Sequence, residues 1–323
     1  MNKGLDTNTV HFSVIVPVFS EAENLEELHK RLSIVMKNLR KHYEILFVDD
    51  GSTDDSFPLI KHICLKDKNT KAIKLIRNFG QHAALSAGLQ HASGNVIITL
   101  DADLQNPPEE IPKLIDKLSE GYDLVFGIFT EKSHSPFRNL GSSFAKYVLS
   151  KIMRNTRTNF STFRAIRSEL VSRLNTLPEK NRFLDGLMLW LGAKTTTISV
   201  IHSKRLKGKT KYNLAKLVKL WFDMVTSFSD FPLKFATYSG VIFGIIGFIL
   251  ACFYLARKFI LAVTVPGFAT IVIIILIFSG IQLFSLGMIG EYVGRIFTES
   301  KNRPLFIIEE TYGFEKEPDD KSL

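Results

Sequence analysis

The chain is poor in cysteine. Only Cys64 and Cys252 occur in 323 residues, and they lie in segments of very different character. Two such residues support no disulfide framework and no zinc-ligand spacing. That excludes a stapled secreted domain and points to chemistry in the cytosol. Met1 to His11 lack the apolar run of a secretory leader, so no cleaved signal peptide is expected. Acids are missing from "SKRLKGKTKYNLAKLVK", Ser203 to Lys219, and charge of either sign is missing from Phe235 to Ala256. These two deficits mark a change of character along the chain. The net charge of +9 leans toward acidic partners such as nucleotides, phosphates or anionic lipid.

What is present first, over residues 1 to about 200, is an α/β pattern. "FSVIVPVF", Phe12 to Phe19, is an apolar run of buried-strand type, and Leu25, Leu28, Leu32, Val35 and Leu39 follow at helical spacing. "YEILFVDD", "AIKLIR", "NVIITLDAD" and "DLVFGIF" read as further strands, with helices at Asp54–Leu65, Gln81–Ala92 and Pro108–Leu118. Strand and helix in alternation predict a mostly parallel sheet with crossover helices, which binds ligands at the carboxyl ends of its strands. Asp49, Asp50, Asp101 and Asp103 all fall at such ends.

The second half reads as membrane-associated. Lys204, Arg205, Lys207, Lys209, Lys211, Lys216 and Lys219 feed a helical face of Leu214, Leu217, Val218, Trp221, Phe222, Val225 and Phe228. That combination predicts interfacial helices over 203–233. Two transmembrane helices are expected within 234–292, at about 235–256 and 266–290, joined by a loop from Arg257 to Val265. Basic residues lie outside the hairpin, before the first span and, as Arg295, Lys301 and Arg303, after the second. The expectation is a multi-pass protein of the cell inner membrane, with the 1–202 domain and both termini cytoplasmic. Residues 293–323 form a C-terminal tail that is charged and expected to be mobile from Glu309 onward.

Four motifs carry chemistry. In "DADLQNPPEE", two carboxylates one residue apart at a strand end repel unless a cation intervenes, and a hard divalent ion with phosphate as co-ligand relieves this. An aspartate-nucleophile phosphatase also uses D-x-D after a strand, but it is expected to carry Thr or Val where Gln105 stands. In "VPVFSEAENL", Pro17 ends a strand, Phe19 offers a ring and Glu21 opens a helix. The ring and acid can hold a nucleobase, or they can be core and helix-end residues. In "VDDGSTDDS", Asp50 is placed on the nucleotide, Asp49 as a loop brace and Asp54 as an N-cap. In "IRNFGQHAALSAG", Gly80 permits a sharp turn, and His82 is read as a packing residue.

Together these motifs resemble the family 2 glycosyltransferases of GT-A fold, and among them the polyprenyl-phosphate glycosyltransferases. "RLKGKTKY", "TSFSDFPLKFATYSG" and "GEYVGRIF" look most like the bacterial undecaprenyl-phosphate glucosyltransferases. The resemblance implies that Pro17, Phe19, Glu21 and Asp50 hold the nucleotide, and that Asp101, Asp103 and Gln105 hold Mg²⁺ or Mn²⁺ and the diphosphate. Arg205, Gly208, Thr210 and Lys211 match an element that closes over phosphates. Asp101, Asp103, Arg205 and Lys211 are then the catalytic set.

The implied reaction is inverting transfer from a nucleotide-diphosphate sugar, UDP-glucose or similar, to undecaprenyl phosphate, for cell-envelope glycan modification. Membrane lipid is a partner, nucleic acid is not, and a homo-oligomer (a tetramer by analogy) is implied. Three features depart from the family: Phe19-Ser20 stands where Tyr-Asn is frequent, Phe129 where Arg is frequent, and "TNFSTFRAIR" has Asn159 and Thr162 where an Asp proposed as a base is usual. A phosphate monoester, with a second pKa near 6, is already largely dianionic and needs no base. The alternatives are a glycosyltransferase acting on a hydroxyl acceptor, which would need one, and a non-catalytic membrane-anchored nucleotide-sugar binding protein.

Overall fold

The computed structural model describes residues 10–129, 160–179, 183–201, 231–261 and 267–314. The chain divides into two units, Met1–Tyr212 with Pro304–Leu323, and Asn213–Arg303.

The first unit carries β1 (Phe12–Val18), α1 (Ala22–Asn38), β2 (Tyr43–Asp49), α2 (Ser56–Lys66), β3 (Thr70–Leu75), α3 (Gln81–His91) and β4 (Val96–Thr99). A 3-10 turn at Pro108–Glu110 leads into α4 (Ile111–Ser119), followed by β5 (Leu124–Phe129) and β6 (Arg164–Arg167). Then come α5 (Ser168–Asn175), α6 (Leu184–Trp190), β7 (Thr195–Val200) and, far along the chain, β8 (Ile308–Tyr312). The strands form one sheet in the order β7-β5-β6-β4-β1-β2-β3-β8. The β1–β2, β1–β4, β2–β3 and β5–β7 pairs are parallel; β6 runs antiparallel to β4 and β5, and β8 to β3. This is the mostly parallel α/β sheet that the alternation predicts.

The central strands are buried on both faces, which is why they read as unbroken apolar runs. Val14, Ile15, Val16, Ile45, Leu46, Phe47 and Val48 are fully enclosed, and α1 adds Leu25, Leu28, Leu32 and Met36 to that core. Pro17 lies within β1 instead of ending it, opposite Val48. Its missing N–H is harmless there. Odd-numbered residues of β1 bond toward β4, as the Leu100 N–H does to the Ile15 carbonyl, and that pairing stops at Ile15 opposite Thr99.

The C-terminal tail is corrected in its first residues. Ile308–Tyr312 is a strand on the open edge of β3, with Ile308, Glu310 and Tyr312 the less exposed positions. Lys61 pairs with Glu310 at 2.5 Å and Lys74 with Glu309 at 2.9 Å, so the acids that suggested a solvated tail meet an edge lined with lysine. Covering β3 removes a free sheet edge. Of the segment 203–233 expected to be interfacial, residues 203–230 lie outside the described residues.

The second unit holds α7 (Phe231–Leu261) and α8 (Phe268–Ser300), which touch edge-to-face through Phe243 and Phe278. The first helix continues through Arg257 and Lys258, so the connection is shorter than the Arg257–Val265 loop expected. Among the described residues no helix is long and apolar enough to cross a membrane. The sequence from Phe235 to Ala256 is uncharged.

Two glycines shape the loops at the strand ends. Gly51 has φ +67, and a Cβ there would stand 2.4 Å from the Arg77 carbonyl carbon; Gly80 has φ +98 with open space around it. Gly80→Ala is expected to lower stability by about 1 kcal/mol through backbone strain alone. Gly51→Ala adds a backbone clash and is expected to cost about 2–4 kcal/mol. Thermal unfolding of the two variants checks this, and equal costs would contradict the close approach of the two loops.

Candidate active site

β4, β1 and β2 are neighbours in the sheet, so the loops after them meet above one crevice. They bring Asp101 and Asp103, Phe19 and Glu21, and Asp50 to the same end of the sheet, as the sequence predicts. The first two loops are stitched together. Ser20 N–H donates to Ser52 Oγ at 2.9 Å, Glu21 N–H to Ser56 Oγ at 3.1 Å, and Ala22 N–H to Asp54 Oδ2 at 3.4 Å. The β2–α2 loop therefore satisfies N–H groups at the start of α1, which has no side-chain cap of its own. Asp54 also accepts from Ser56 N–H at 3.1 Å, so it serves two helix starts where the sequence suggested one. Partial burial raises its pKa, but the bonds from Ser56 and Ala22 outweigh this and hold it below the usual value.

Phe19 is 41% exposed and offers an open ring at the crevice. Glu21 holds the Asn24 amide at 2.7 Å. Both paired acids after β2 brace loops, Asp49 as expected and Asp50 in addition to its expected place at the nucleotide end of the sheet. Asp50 accepts from the Phe79 N–H at 2.7 Å and the Gly80 N–H at 2.8 Å, so it braces the loop ahead of α3 with both oxygens. Asp49 accepts from Ser52 N–H at 3.2 Å, and its other oxygen is buried without a partner. Burial raises the pKa of both acids, against these hydrogen bonds.

The turn after β4 sorts its side chains by alternation. Ala102, Leu104 and Asn106 are buried, while Asp101, Asp103 and Gln105 are half-buried and keep surface open to the crevice. Leu104 adopts φ +61, a left-handed conformation that costs about 1–2 kcal/mol for such a residue. The buried leucine anchors the turn there, so strain coincides with the chemistry. Asp103 accepts the Gln105 N–H at 3.1 Å. Downstream, Arg31 of α1 grips Glu109 with two bonds of 2.9 and 2.6 Å, fixing the Pro-Pro-Glu-Glu segment.

Asp101 is held from two sides. Gln81 Nε2 donates to one oxygen at 2.7 Å and Thr162 Oγ1 to the other at 2.6 Å. Burial raises its pKa, Asp103 adds to that, and Thr162, Arg164 and Gln81 oppose it. Behind it lies a group that the sequence reading missed. Arg164 is almost fully enclosed and paired with buried Asp185. Burial lowers its pKa to about 10, with Asp101 pulling the other way, so it stays charged at neutral pH. His82, pushed down to about 4 by burial and by Arg164, stays neutral and packs edge-on against Phe183 at 6.0 Å, a packing role as expected. A charge inside "FRAI" and another inside "FLDGLMLW" were the available signals. Arg205, Gly208, Thr210, Lys211 and Asn159 lie outside the described residues.

Comparison with known proteins decides the family. Residues 13–174 match the model of glycosyl transferase family 2. The chain belongs to glycosyl transferase family 2. This glycosyltransferase is 39% identical to a Bacillus subtilis protein called uncharacterized glycosyltransferase YkcC, over 95% of both chains. It is 36% identical to the undecaprenyl-phosphate 4-deoxy-4-formamido-L-arabinose transferase of Pectobacterium carotovorum, over 93% of both chains, and 34% identical to that of Proteus mirabilis, over 94% of both. Among solved structures, glucosyl-3-phosphoglycerate synthase from Mycobacterium tuberculosis aligns at TM-score 0.48 and 18% identity, over 67% of this chain and 78% of that one.

The residues of this glycosyltransferase fit a divalent cation. Among the described residues no group of three or more His, Cys, Asp or Glu could enclose an ion. The crevice instead offers hard oxygen donors on Asp101 and Asp103, with Gln105 beside them. Such an incomplete set suits Mg²⁺ or Mn²⁺, which keeps water and phosphate as its other ligands.

For the glycosyltransferase without a cation, pH sets a cost. A carboxylate whose pKa is raised by folding destabilises the native state when ionised, and the cost fades as pH falls through the folded value. Asp101→Asn keeps an acceptor for Gln81, and the Thr162 hydroxyl can turn to accept from the new amide. The variant is expected to unfold roughly 2–4 °C higher than the parent at pH 7–8, with the gap closing as pH is lowered. Thermal scans across pH in chelator check this; a lower melting point for the variant at pH 7 would contradict it.

Proposed function

We propose that this glycosyltransferase moves a sugar from a nucleotide-diphosphate sugar to a polyprenyl phosphate at a membrane surface. The observation that carries the reading is the turn after β4. Asp101 and Asp103, two half-buried carboxylates one residue apart, stand with Gln105 on a strained, buried base. An anionic diphosphate can enter beside them only with a cation. Asp101 and Asp103 would hold that cation, which when bound offsets charge growing on the leaving diphosphate. Phe19 offers a face for the base, Glu21 lies beside it, and Asp50 keeps the adjoining loop in place.

The acceptor reading rests on chemistry and on relatives. Thr162 stands where the family often has an acid, and its hydroxyl already donates to Asp101, so it is no proton acceptor. A lipid phosphate dianion needs none. Its oxygen attacks the anomeric carbon, the bond from that carbon to the diphosphate oxygen breaks, and the nucleoside diphosphate leaves with the electron pair. The named activity of the Pectobacterium and Proteus relatives uses undecaprenyl phosphate, and the same lipid is proposed here, with UDP-glucose or a similar donor and a role in cell-envelope glycan modification.

The membrane part follows from α7 and α8. Phe248 and Leu283 are 71% and 69% exposed, and Ile245, Ile249, Phe253, Ile275 and Phe284 are also open. Apolar surface of that extent calls for lipid or another apolar cover. The uncharged runs and the flanking basic residues favour a hairpin in the cell inner membrane with the sheet unit on the cytoplasmic side. Arg205 and Lys211 would then hold phosphates close to the membrane surface.

Purified full chain, undecaprenyl phosphate, Mn²⁺ and a panel of nucleotide sugars test the reading by the mass of the lipid product. One sugar added to the lipid phosphate, lost with chelator and lowered about 10²–10³-fold by Asp103→Ala, is the expected result. The reading sinks if no donor yields a glycosyl lipid while a control enzyme does.

A further inference from the structure

The hydrogen bonds around Asp101 form a frame with more order than a loop requires. From one side, Asp50 fixes the Phe79 and Gly80 N–H groups, and Gln81, the next residue, reaches Asp101 Oδ1 at 2.7 Å. From the other side, Thr99 Oγ1, at the end of β4, donates to the Thr162 carbonyl at 2.5 Å. Phe163 is fully buried, and its carbonyl takes the Gly127 N–H at 2.8 Å. A Cβ on Gly127 would stand 2.8 Å from the Phe163 ring, so the backbone on both sides of Thr162 is pinned. Thr162 then places its hydroxyl on Asp101 Oδ2. Arg164, two residues on, opens β6, and its buried charge acts on the same carboxylate.

A carboxylate oxygen has two lone pairs. With one taken by Gln81 or Thr162, each oxygen of Asp101 keeps one for the crevice, and the plane of the group is fixed. Partners outside the ligand shell that fix a ligand's orientation set its affinity for a metal. We propose that Thr162 and Gln81 are positioning residues that hold Asp101 in the orientation from which it binds a divalent cation. A threonine thus takes a place where an acid is usual and acts as a donor. The proposal rests on the metal reading of the crevice.

Mn²⁺ binding to the full-length protein, followed by electron paramagnetic resonance without donor or acceptor, tests it. Thr162→Val and Gln81→Leu are each expected to weaken binding about 10- to 100-fold. Thr162→Ser, which keeps the hydroxyl, should restore affinity to within about threefold of the parent. Gln81 is exposed, so its variant keeps the test valid if Thr162→Val fails to fold. Parent-like Mn²⁺ affinity in both Thr162→Val and Gln81→Leu overturns the proposal, as does a serine variant as weak as the valine one. A parent protein that takes up no Mn²⁺ overturns the underlying metal reading instead.

Discussion

Two carboxylates of like charge, one residue apart, stand at the end of a parallel strand in a crevice that is partly shielded from water. Every neighbouring feature answers that repulsion. Asp101 receives two hydrogen bonds and the field of a buried arginine. Asp103 takes a backbone N–H from its own turn. Leu104 is forced into a left-handed conformation so that the acids stay outside while the turn stays anchored. These arrangements orient Asp101 and anchor the turn that carries both acids. In the proposed reading a cation and a diphosphate complete the site.

The same constraint explains why the strand-end loops depend on one another. Ser52, Asp54 and Ser56 from the second loop satisfy N–H groups of the first. Asp50 holds the third, and the third supplies Gln81 to the fourth. The first three loops are tied to neighbours on adjacent strands, and Gln81 reaches from beyond β3 across β2 and β1 to the loop after β4. Arg164 and Asp185 add a buried ion pair beneath it. Such a pair is costly to desolvate and weak evidence of stability, and its charge, directed toward Asp101, gives it a use at the site.

Much of this was legible in the sequence. Apolar runs marked β1, β2 and β4, and the acids that end the second and third of these put Asp50, Asp101 and Asp103 at the same end of the sheet, because a parallel sheet leaves little choice. What escaped was set by contacts distant in sequence. The bracing of the Phe79 and Gly80 N–H groups by Asp50 depends on the 77–80 loop lying against Gly51. The strand at Ile308–Tyr312 looked like a solvated tail because its partners, Lys61 and Lys74, are more than 200 residues earlier. Arg164 was hidden in a four-residue strand, Arg-Ala-Ile-Arg, that no alternation marks, and nearby Thr162 was read only as a missing acid.

The most direct test of the central claim is the melting temperature of the protein as Mn²⁺ is added at pH 7, beside that of a variant with Asp101→Asn and Asp103→Asn together. Binding to the native state alone should stabilise the parent by about 2.7 kcal/mol when the ion reaches a hundred times its dissociation constant. The variant should start higher and stay flat. A parent that does not respond, or a variant that responds equally, would contradict the assignment of these two acids to a cation.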